Sequence, residues 1–218
     1  KIFDKSKRDQ NIYIYLSYYS NLMTRIAAEC NYNFYAEKEI KKLLKTFRKK
    51  KLINKIKIRP YPINLNYSLE KKYLEKNNFN EKIQIMFPEF EYVTQPSGDE
   101  ILGYGGLIVY TYFCGTGFFQ RLYSELPVII FDVCKAEWID KEFEPFYKDL
   151  KKAKIIFDNH QNLHEHLNSI HENINSWWEA SEVKLALKTF KDKYCSNLEL
   201  GNELNSITKE IENKNNYF

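Results

Sequence analysis

The hydrophobic positions of this chain fall into short unbroken apolar runs that are separated by longer stretches with helical spacing. Runs rich in β-branched and aromatic residues predict buried strands at 11–19, 55–59, 107–112, 128–131 and 154–157. Two weaker runs predict further strands at 83–87 and 92–94. Because the main runs are apolar on both faces, they are typical of a parallel sheet that helices cover on each side.

Helical spacing recurs between these strands. In 37–52, apolar residues follow one another at i, i+3, i+4 and i+7, which predicts an amphipathic helix with one buried stripe. Further helices are predicted at 118–126, 143–152, 160–178 and 181–194. The alternation indicates an α/β fold, namely a Rossmann-like, doubly wound parallel sheet of five or six strands. This domain occupies residues 1–195, and a polar tail follows at 196–218.

A sheet of this kind binds ligands at the carboxyl ends of its strands, where the strand order reverses. Four polar residues that come at or near the ends of predicted strands are therefore candidates: Ser20, Arg59, Thr111 and Asp132. Arginine is scarce in this chain compared with lysine, so the arginine at a strand end favours bidentate hydrogen bonding to an anion. A surface ion pair is the alternative role for Arg59.

A second candidate lies between the strand at 107–112 and the helix that follows it, where the chain reads Gly115-Thr116-Gly117-Phe118. Glycines let a backbone approach a phosphate, and a helix N-terminus offers N–H donors and a positive dipole end. The motif is shorter than the dinucleotide fingerprint and lacks the Lys-Ser/Thr of a Walker loop. It therefore predicts either an anion cradle or a plain tight turn.

Composition narrows the classes of protein without changing this picture. A chain of 218 residues with 44% hydrophobic and 16% aromatic residues fits one globular domain and excludes a disordered one. No apolar run approaches the roughly 18 residues of a membrane-spanning helix. The net charge of +4 is below the excess typical of nucleic-acid-binding domains. The basic segment 37–58 predicts either a solvated helix face or a patch that faces an anionic lipid surface or a polyanionic substrate.

Metal chemistry has little support in the sequence. One predicted helix carries all four histidines, at 160, 164, 166 and 171. They form no H-E-x-x-H motif and have no companion ligand at metal spacing. The cysteines are single and widely spaced, at 30, 114, 134 and 195. Such spacing favours free thiols in a reducing cytoplasm, and we expect neither a metal nor another cofactor.

Several segments together carry a resemblance to a known family. They read IYIYLSYYSN from Ile12, IRPYP at 58–62, LIVYTYFCGTGFFQRLYSELPVIIF at 107–131 and EPFYKDLKKAKIIFD at 144–158. In this order they resemble the C-terminal, donor-binding half of a GT-B glycosyltransferase. More closely, they resemble a family of transferases from bacterial surface-polysaccharide gene clusters. In that family a Glu is usual where this chain has Gln120, which keeps hydrogen bonding but loses the charge.

The resemblance implies a nucleotide-sugar donor that lies across the carboxyl ends of the strands, and a glycan or lipid-linked acceptor. It also implies that Arg59 and the turn from Gly115 to Phe118 hold phosphate, while Ser20 and Thr111 line the cleft. Gln120 and Asp132 are then the candidates for ribose or sugar hydroxyls. GT-B enzymes typically need no metal, because helix dipoles and basic side chains stabilise the leaving phosphate. The catalytic base commonly lies on the N-terminal lobe, so we assign none.

The chain begins Lys1-Ile2-Phe3 without a Met, and its first strand follows almost at once. Together with the resemblance to a C-terminal half, this start predicts one lobe of a two-lobed enzyme, inactive without its N-terminal lobe. The enzyme is expected in the cytoplasm, at the inner face of the membrane, with no nucleic-acid partner. Two alternatives stay open: a non-catalytic α/β binding module and a GT-B-shaped sugar-nucleotide epimerase.

Overall fold

The computed structural model describes seven stretches of the chain: 10–16, 32–48, 51–60, 79–93, 106–111, 116–133 and 141–194. Several positions that the sequence singled out lie outside these stretches, namely Ser20, Gly115, the four cysteines and the tail 196–218.

Six strands form one sheet in which every pairing is parallel. They are β1 (Ile12–Tyr15), β2 (Ile56–Arg59), β3 (Glu91–Tyr92), β4 (Leu107–Tyr110), β5 (Val128–Phe131) and β6 (Ile156–Phe157). Their order across the sheet is β3-β2-β1-β4-β5-β6. This is the strand order of the doubly wound dinucleotide-binding fold. The predicted α/β class and Rossmann-like sheet are confirmed.

Helices cover both faces of this sheet. They are α1 (Tyr32–Arg48), α2 (Phe79–Met86), α3 (Thr116–Tyr123), α4 (Glu144–Lys152), α5 (His160–Ile170), α6 (Ile174–Trp178) and α7 (Ser181–Tyr194), and a 3-10 turn at Lys51–Lys55 precedes β2. Side chains of α1, α2 and α5 pack in one core, on what we call the α1 face, and those of α3, α4 and α7 pack on the α3 face. Successive strand residues alternate between the two faces, as with Ile14 on the α1 face and Tyr15 on the α3 face.

The strand predicted at 83–87 is wrong, because residues 83–86 form the second half of α2. Ile83 and Phe87 are buried one helical turn apart, whereas Ile85 is 78% exposed. A strand would have placed all three side chains on one face. Tyr92 stabilises the helical end, since its hydroxyl donates to the carbonyl oxygens of Ile83 (3.2 Å) and Phe87 (3.0 Å). Burial raises the pKa of Tyr92 to about 12, so the hydroxyl keeps the proton that it donates.

The helix predicted at 160–178 is divided into α5 and α6. Asn173 begins the second of these, because its side-chain oxygen accepts from the backbone N–H of Ser176 at 3.0 Å. The apolar stripe continues across the division, and Ile170 and Ile174 both lie in the core of the α1 face. Within the described ranges, none of the helices is long and apolar enough to cross a bilayer.

Candidate functional site

The strand order reverses between β1 and β4, so the carboxyl ends of these two strands mark the expected ligand-binding edge. Thr111 follows β4 directly and is fully buried. Its backbone N–H and its hydroxyl both donate to the carbonyl oxygen of Tyr15, each at 3.2 Å. Thr111 therefore ties the ends of β1 and β4 together at the point of reversal.

Arg59 ends β2, next to β1, and only 3% of it is exposed. Its Nη1 donates to the carbonyl oxygen of Val93 at 3.0 Å, while its Nε is buried without a hydrogen-bond partner. No carboxylate in the described ranges forms an ion pair with this guanidinium. Burying a cation without an anion costs several kcal/mol, so a bound anion would be stabilising here.

The polar residues of this edge share one face of the sheet. Tyr15 is paired in register with Arg59 on one side and with Tyr110 on the other, and the two tyrosine rings lie 5.3 Å apart. Both tyrosines belong to the core of the α3 face, so Arg59 projects from that face too. Asp132 lies two residues beyond Ile130, the register partner of Tyr110, and falls on the same face.

Asp132 follows β5 directly and is 1% exposed. Its Oδ2 accepts from the hydroxyl of Tyr147, on α4, at 2.8 Å. Its backbone N–H donates to the carbonyl oxygen of Phe157 at 2.6 Å, which ties the ends of β5 and β6 together. Burial raises the pKa of Tyr147, and the charges of Asp132 and Asp158 raise it further. The hydroxyl of Tyr147 therefore remains a donor to Asp132 at any physiological pH.

The start of α3 completes the edge. The helix begins at Thr116, two residues before the predicted start at 118, so Thr116, Gly117 and Phe118 lie in its first turn. Gly117 is half-buried and Gln120 is exposed. The side chain of Phe118 lies fully buried in the core of the α3 face. Phe118 can therefore contact a phosphate only through its backbone.

Sequence reasoning placed Arg59, Thr111 and Asp132 at this edge but missed Tyr147. The available signal was a tyrosine in the buried stripe of α4, between Phe146 and Leu150. A tyrosine is less often fully buried than a purely apolar residue, and its hydroxyl usually finds a partner when it is. The choice of Tyr at a core position therefore pointed to a polar contact beneath α4.

Comparison with known families decides the affiliation of the chain. The sequence profile of the LIC12162 family transferase matches residues 2–209. The chain belongs to the LIC12162 family of transferases. No curated protein matches it. The predicted resemblance to a family of transferases is confirmed, and the edge described above is the candidate active site of a LIC12162 family transferase.

The histidines of this LIC12162 family transferase do not converge on a metal. His164 and His166 are buried, at 2% and 6% exposure, while the other two are half-buried. Among the described residues, no group of three or more His, Cys, Asp and Glu is placed to hold a metal ion. The ring of His166 stacks on Phe157, with centroids 5.2 Å apart, and meets the edge of Trp177 at 4.9 Å. Two of the four histidines are thus part of the protein core.

This buried histidine makes folding sensitive to acid. Burial, together with the smaller effect of the positive charge of Lys154, lowers the pKa of His166 to about 4. An unfolded histidine titrates near 6.5, so between pH 6.5 and 4 the unfolded chain binds more protons than the folded one. The contribution of neutral His166 to the free energy of unfolding is therefore fully present above pH 6.5. It falls as the pH drops from 6.5 to 4, by up to about 3 kcal/mol.

We expect His166→Phe to flatten the pH dependence of the free energy of unfolding, because Phe retains the stacking but cannot bind a proton. Urea denaturation at several values between pH 7 and 4 measures the slope. His160→Gln, at the start of the same helix, is the matched control and should keep the wild-type slope. A wild-type slope in His166→Phe would assign the acid sensitivity to other groups.

The basic segment 37–58 is partly neutralised in the LIC12162 family transferase. Lys41 pairs with Glu37, and Lys42 pairs with Glu39 at 2.6 Å. Arg48 pairs with Glu89. The apolar stripe of α1 is fully buried in the core, at Ile40, Leu43, Leu44 and Phe47. Contact of this segment with a lipid surface would therefore depend on its remaining charges and not on an exposed apolar face.

Proposed function

We propose that this transferase is a glycosyltransferase of the GT-B type, and that its sheet edge binds the phosphate or diphosphate of a nucleotide-sugar donor. The observation that carries the proposal is the buried guanidinium of Arg59, which lies beside the point of strand reversal and has no carboxylate partner among the residues that the structure describes. A guanidinium with an unused N–H suits a phosphate, because charge-assisted hydrogen bonds would replace the missing pairing. The family resemblance given by 107–131 supports a sugar as the transferred group.

The same residues suit the chemistry of glycosyl transfer. An acceptor hydroxyl attacks the anomeric carbon, the bond from that carbon to the phosphate oxygen breaks, and the nucleoside diphosphate (or monophosphate, for a CMP-sugar) leaves. Arg59 and the N-terminal end of α3 stabilise the negative charge that develops on the leaving group. The hydroxyl proton passes to a base on a second lobe. The acceptor in this proposal is a surface glycan or its lipid-linked precursor at the cytoplasmic side of the membrane.

Membership of a transferase family favours transfer over the two alternatives that the sequence left open. An epimerase would interconvert sugars without an acceptor, and a binding module would need no leaving group at all. The epimerase would bind a nucleotide-sugar at the same edge of the sheet, and the binding module would bind its ligand there. The first experiment therefore tests whether this edge binds a nucleotide.

Thermal unfolding in the presence of UDP, GDP or CMP tests whether the edge binds a nucleotide. One of the three is expected to raise Tm. At a hundredfold excess over Kd the stabilisation is about 2.7 kcal/mol, or roughly 5–10 °C for a chain of this size. Arg59→Met should remove the shift. Equal Tm values with and without every nucleotide would contradict a donor site on this lobe.

A further inference from the structure

We propose that residues 79–93, which we call the α2–β3 unit, are linked to the anion site, and that Tyr92 is the positioning residue of this link. An anion bound by Arg59 holds the unit against the sheet, and the unit in turn holds Arg59 in position for the anion. This inference rests on the proposed function and adds to it an element outside the site that ligand binding stabilises.

The first support is a direct contact between Arg59 and the end of the unit. Ile58 pairs with Tyr92 in the register of β2 and β3, so Val93 lies beside Arg59. The Nη1 of Arg59 donates to the carbonyl oxygen of Val93 at 3.0 Å, and the N–H of Val93 donates to the carbonyl oxygen of Ile58 at 2.9 Å. A guanidinium is rigid and planar, so the bond to Val93 fixes the direction in which the unpaired Nε points.

The second support is the role of Tyr92 inside the unit, where it joins the strand to the helix. Its ring packs against the core of the α1 face, and its hydroxyl donates to the carbonyl oxygens of Ile83 and Phe87 at the end of α2. Val93 follows Tyr92 directly, so α2, β3 and the carbonyl oxygen that Arg59 binds are connected. We therefore expect them to leave and rejoin the sheet as one piece.

The third support is the desolvation of Arg59. In the described sheet, β3 is a two-residue strand at the edge, and β2 is its neighbour. Without an anion, movement of the unit away from β2 lets water reach a guanidinium that is otherwise 3% exposed, which makes opening less unfavourable. With an anion, the charge is already neutralised, and opening only breaks the bond to Val93. Anion binding therefore stabilises the closed unit, and by reciprocity the closed unit strengthens anion binding.

Hydrogen–deuterium exchange of the whole chain, with and without the nucleotide that raises Tm, tests the link. At a hundredfold excess over Kd, the amides of 79–93 are expected to exchange at least tenfold more slowly. The limit for an opening that releases the ligand is about a hundredfold. Short labelling times are compared, because they report local opening and not global unfolding. Helix α5 lies outside the unit and is the internal reference, which should exchange at an unchanged rate.

Variants of Tyr92 test its positioning role. Tyr92→Phe removes the hydroxyl and should accelerate exchange in 79–93 by about three- to tenfold, the equivalent of one net hydrogen bond. Tyr92→Ala also removes the ring and should weaken nucleotide affinity in calorimetry by about tenfold, because the closed unit becomes a minor state. A purely structural tyrosine would leave the affinity unchanged. Trp177→Phe, the matched control, removes an aromatic donor to the carbonyl oxygen of Ala153 at 3.2 Å and should leave both readouts at the wild-type value.

The outcomes separate this link from the proposed function. If a nucleotide binds and Arg59→Met abolishes its binding, but exchange in 79–93 is the same with and without the nucleotide, the link is overturned and the proposed function stands. Equal slowing in 79–93 and in α5 would also overturn the link, because it would show a general stabilisation of the fold. If no nucleotide binds the wild-type chain, the proposed function is overturned together with the link.

Discussion

Replacing Arg59 with Met is expected to stabilise the ligand-free protein and to abolish its affinity for nucleotides. The guanidinium is 3% exposed, donates one hydrogen bond to Val93 and leaves Nε without a partner. Methionine fills a similar volume without a charge to desolvate. Within the described part of the chain this charge has no ion-pair partner, so its removal should stabilise the fold by about 1–3 kcal/mol, even after the loss of the bond to Val93.

The two effects are measured on the same protein, by urea denaturation without ligand and by calorimetry with the nucleotide that shifts Tm. Stabilisation of this size raises Tm by roughly 2–10 °C in a chain of about 200 residues. The matched control is Arg48→Met, which removes the same charge from an exposed ion pair with Glu89. Arg48→Met should change the free energy of unfolding by less than about 1 kcal/mol and leave nucleotide affinity unchanged.

A loss of stability in Arg59→Met would show that the guanidinium is a structural element whose charge is already compensated. A gain in stability with undiminished nucleotide affinity would place the anion site elsewhere on the edge. Higher stability together with loss of nucleotide binding would show that Arg59 binds the nucleotide and lowers the stability of the ligand-free protein.

Most of the sheet could be predicted because parallel strands are buried on both faces and read as unbroken apolar runs. Leu107–Tyr110 and Val128–Phe131 are of this kind, and both are confirmed. The segment 83–87 misled the prediction because it contains alternating apolar residues that fit either period over so short a length. Its conformation is decided by contacts distant from its own pattern, such as the hydroxyl of Tyr92.

The places of the candidate site residues in the fold could be predicted as well as the strands themselves. Polar residues at the ends of parallel strands gather at one edge whatever their exact contacts, which is why Arg59, Thr111 and Asp132 are brought together. What each side chain does there depends on the crossovers. Tyr147 reaches Asp132 only because α4 packs over β5 and β6, so a tyrosine in the buried stripe of α4 indicates a polar contact but does not identify its partner. Likewise, only the three-dimensional structure shows that the Nε of Arg59 is buried without a hydrogen-bond partner.

Trp178→Ala is expected to have the largest effect on stability, because this side chain joins three helices. It is 1% exposed in the core of the α3 face, and its Nε1 donates to the carbonyl oxygen of Glu125 at 2.8 Å. Glu125 follows α3 in a left-handed conformation, with φ of 52°, and its carboxylate pairs with Lys184 and Lys191 of α7. The indole of α6 thus fixes the turn between α3 and β5, which the two lysines of α7 also hold.

Removing a buried indole costs about 3–5 kcal/mol, out of a total of about 5–15 kcal/mol for a typical domain. Urea denaturation at pH 7 measures the loss. Leu185→Ala removes an exposed side chain of α7, 66% accessible, and should cost no more than about 0.5 kcal/mol. Trp178→Phe retains most of the packing but not the donor, so its smaller loss separates the bond to Glu125 from the burial of the ring. Equal losses in Trp178→Ala and Leu185→Ala would mean that the turn at Glu125 is held by its lysines alone.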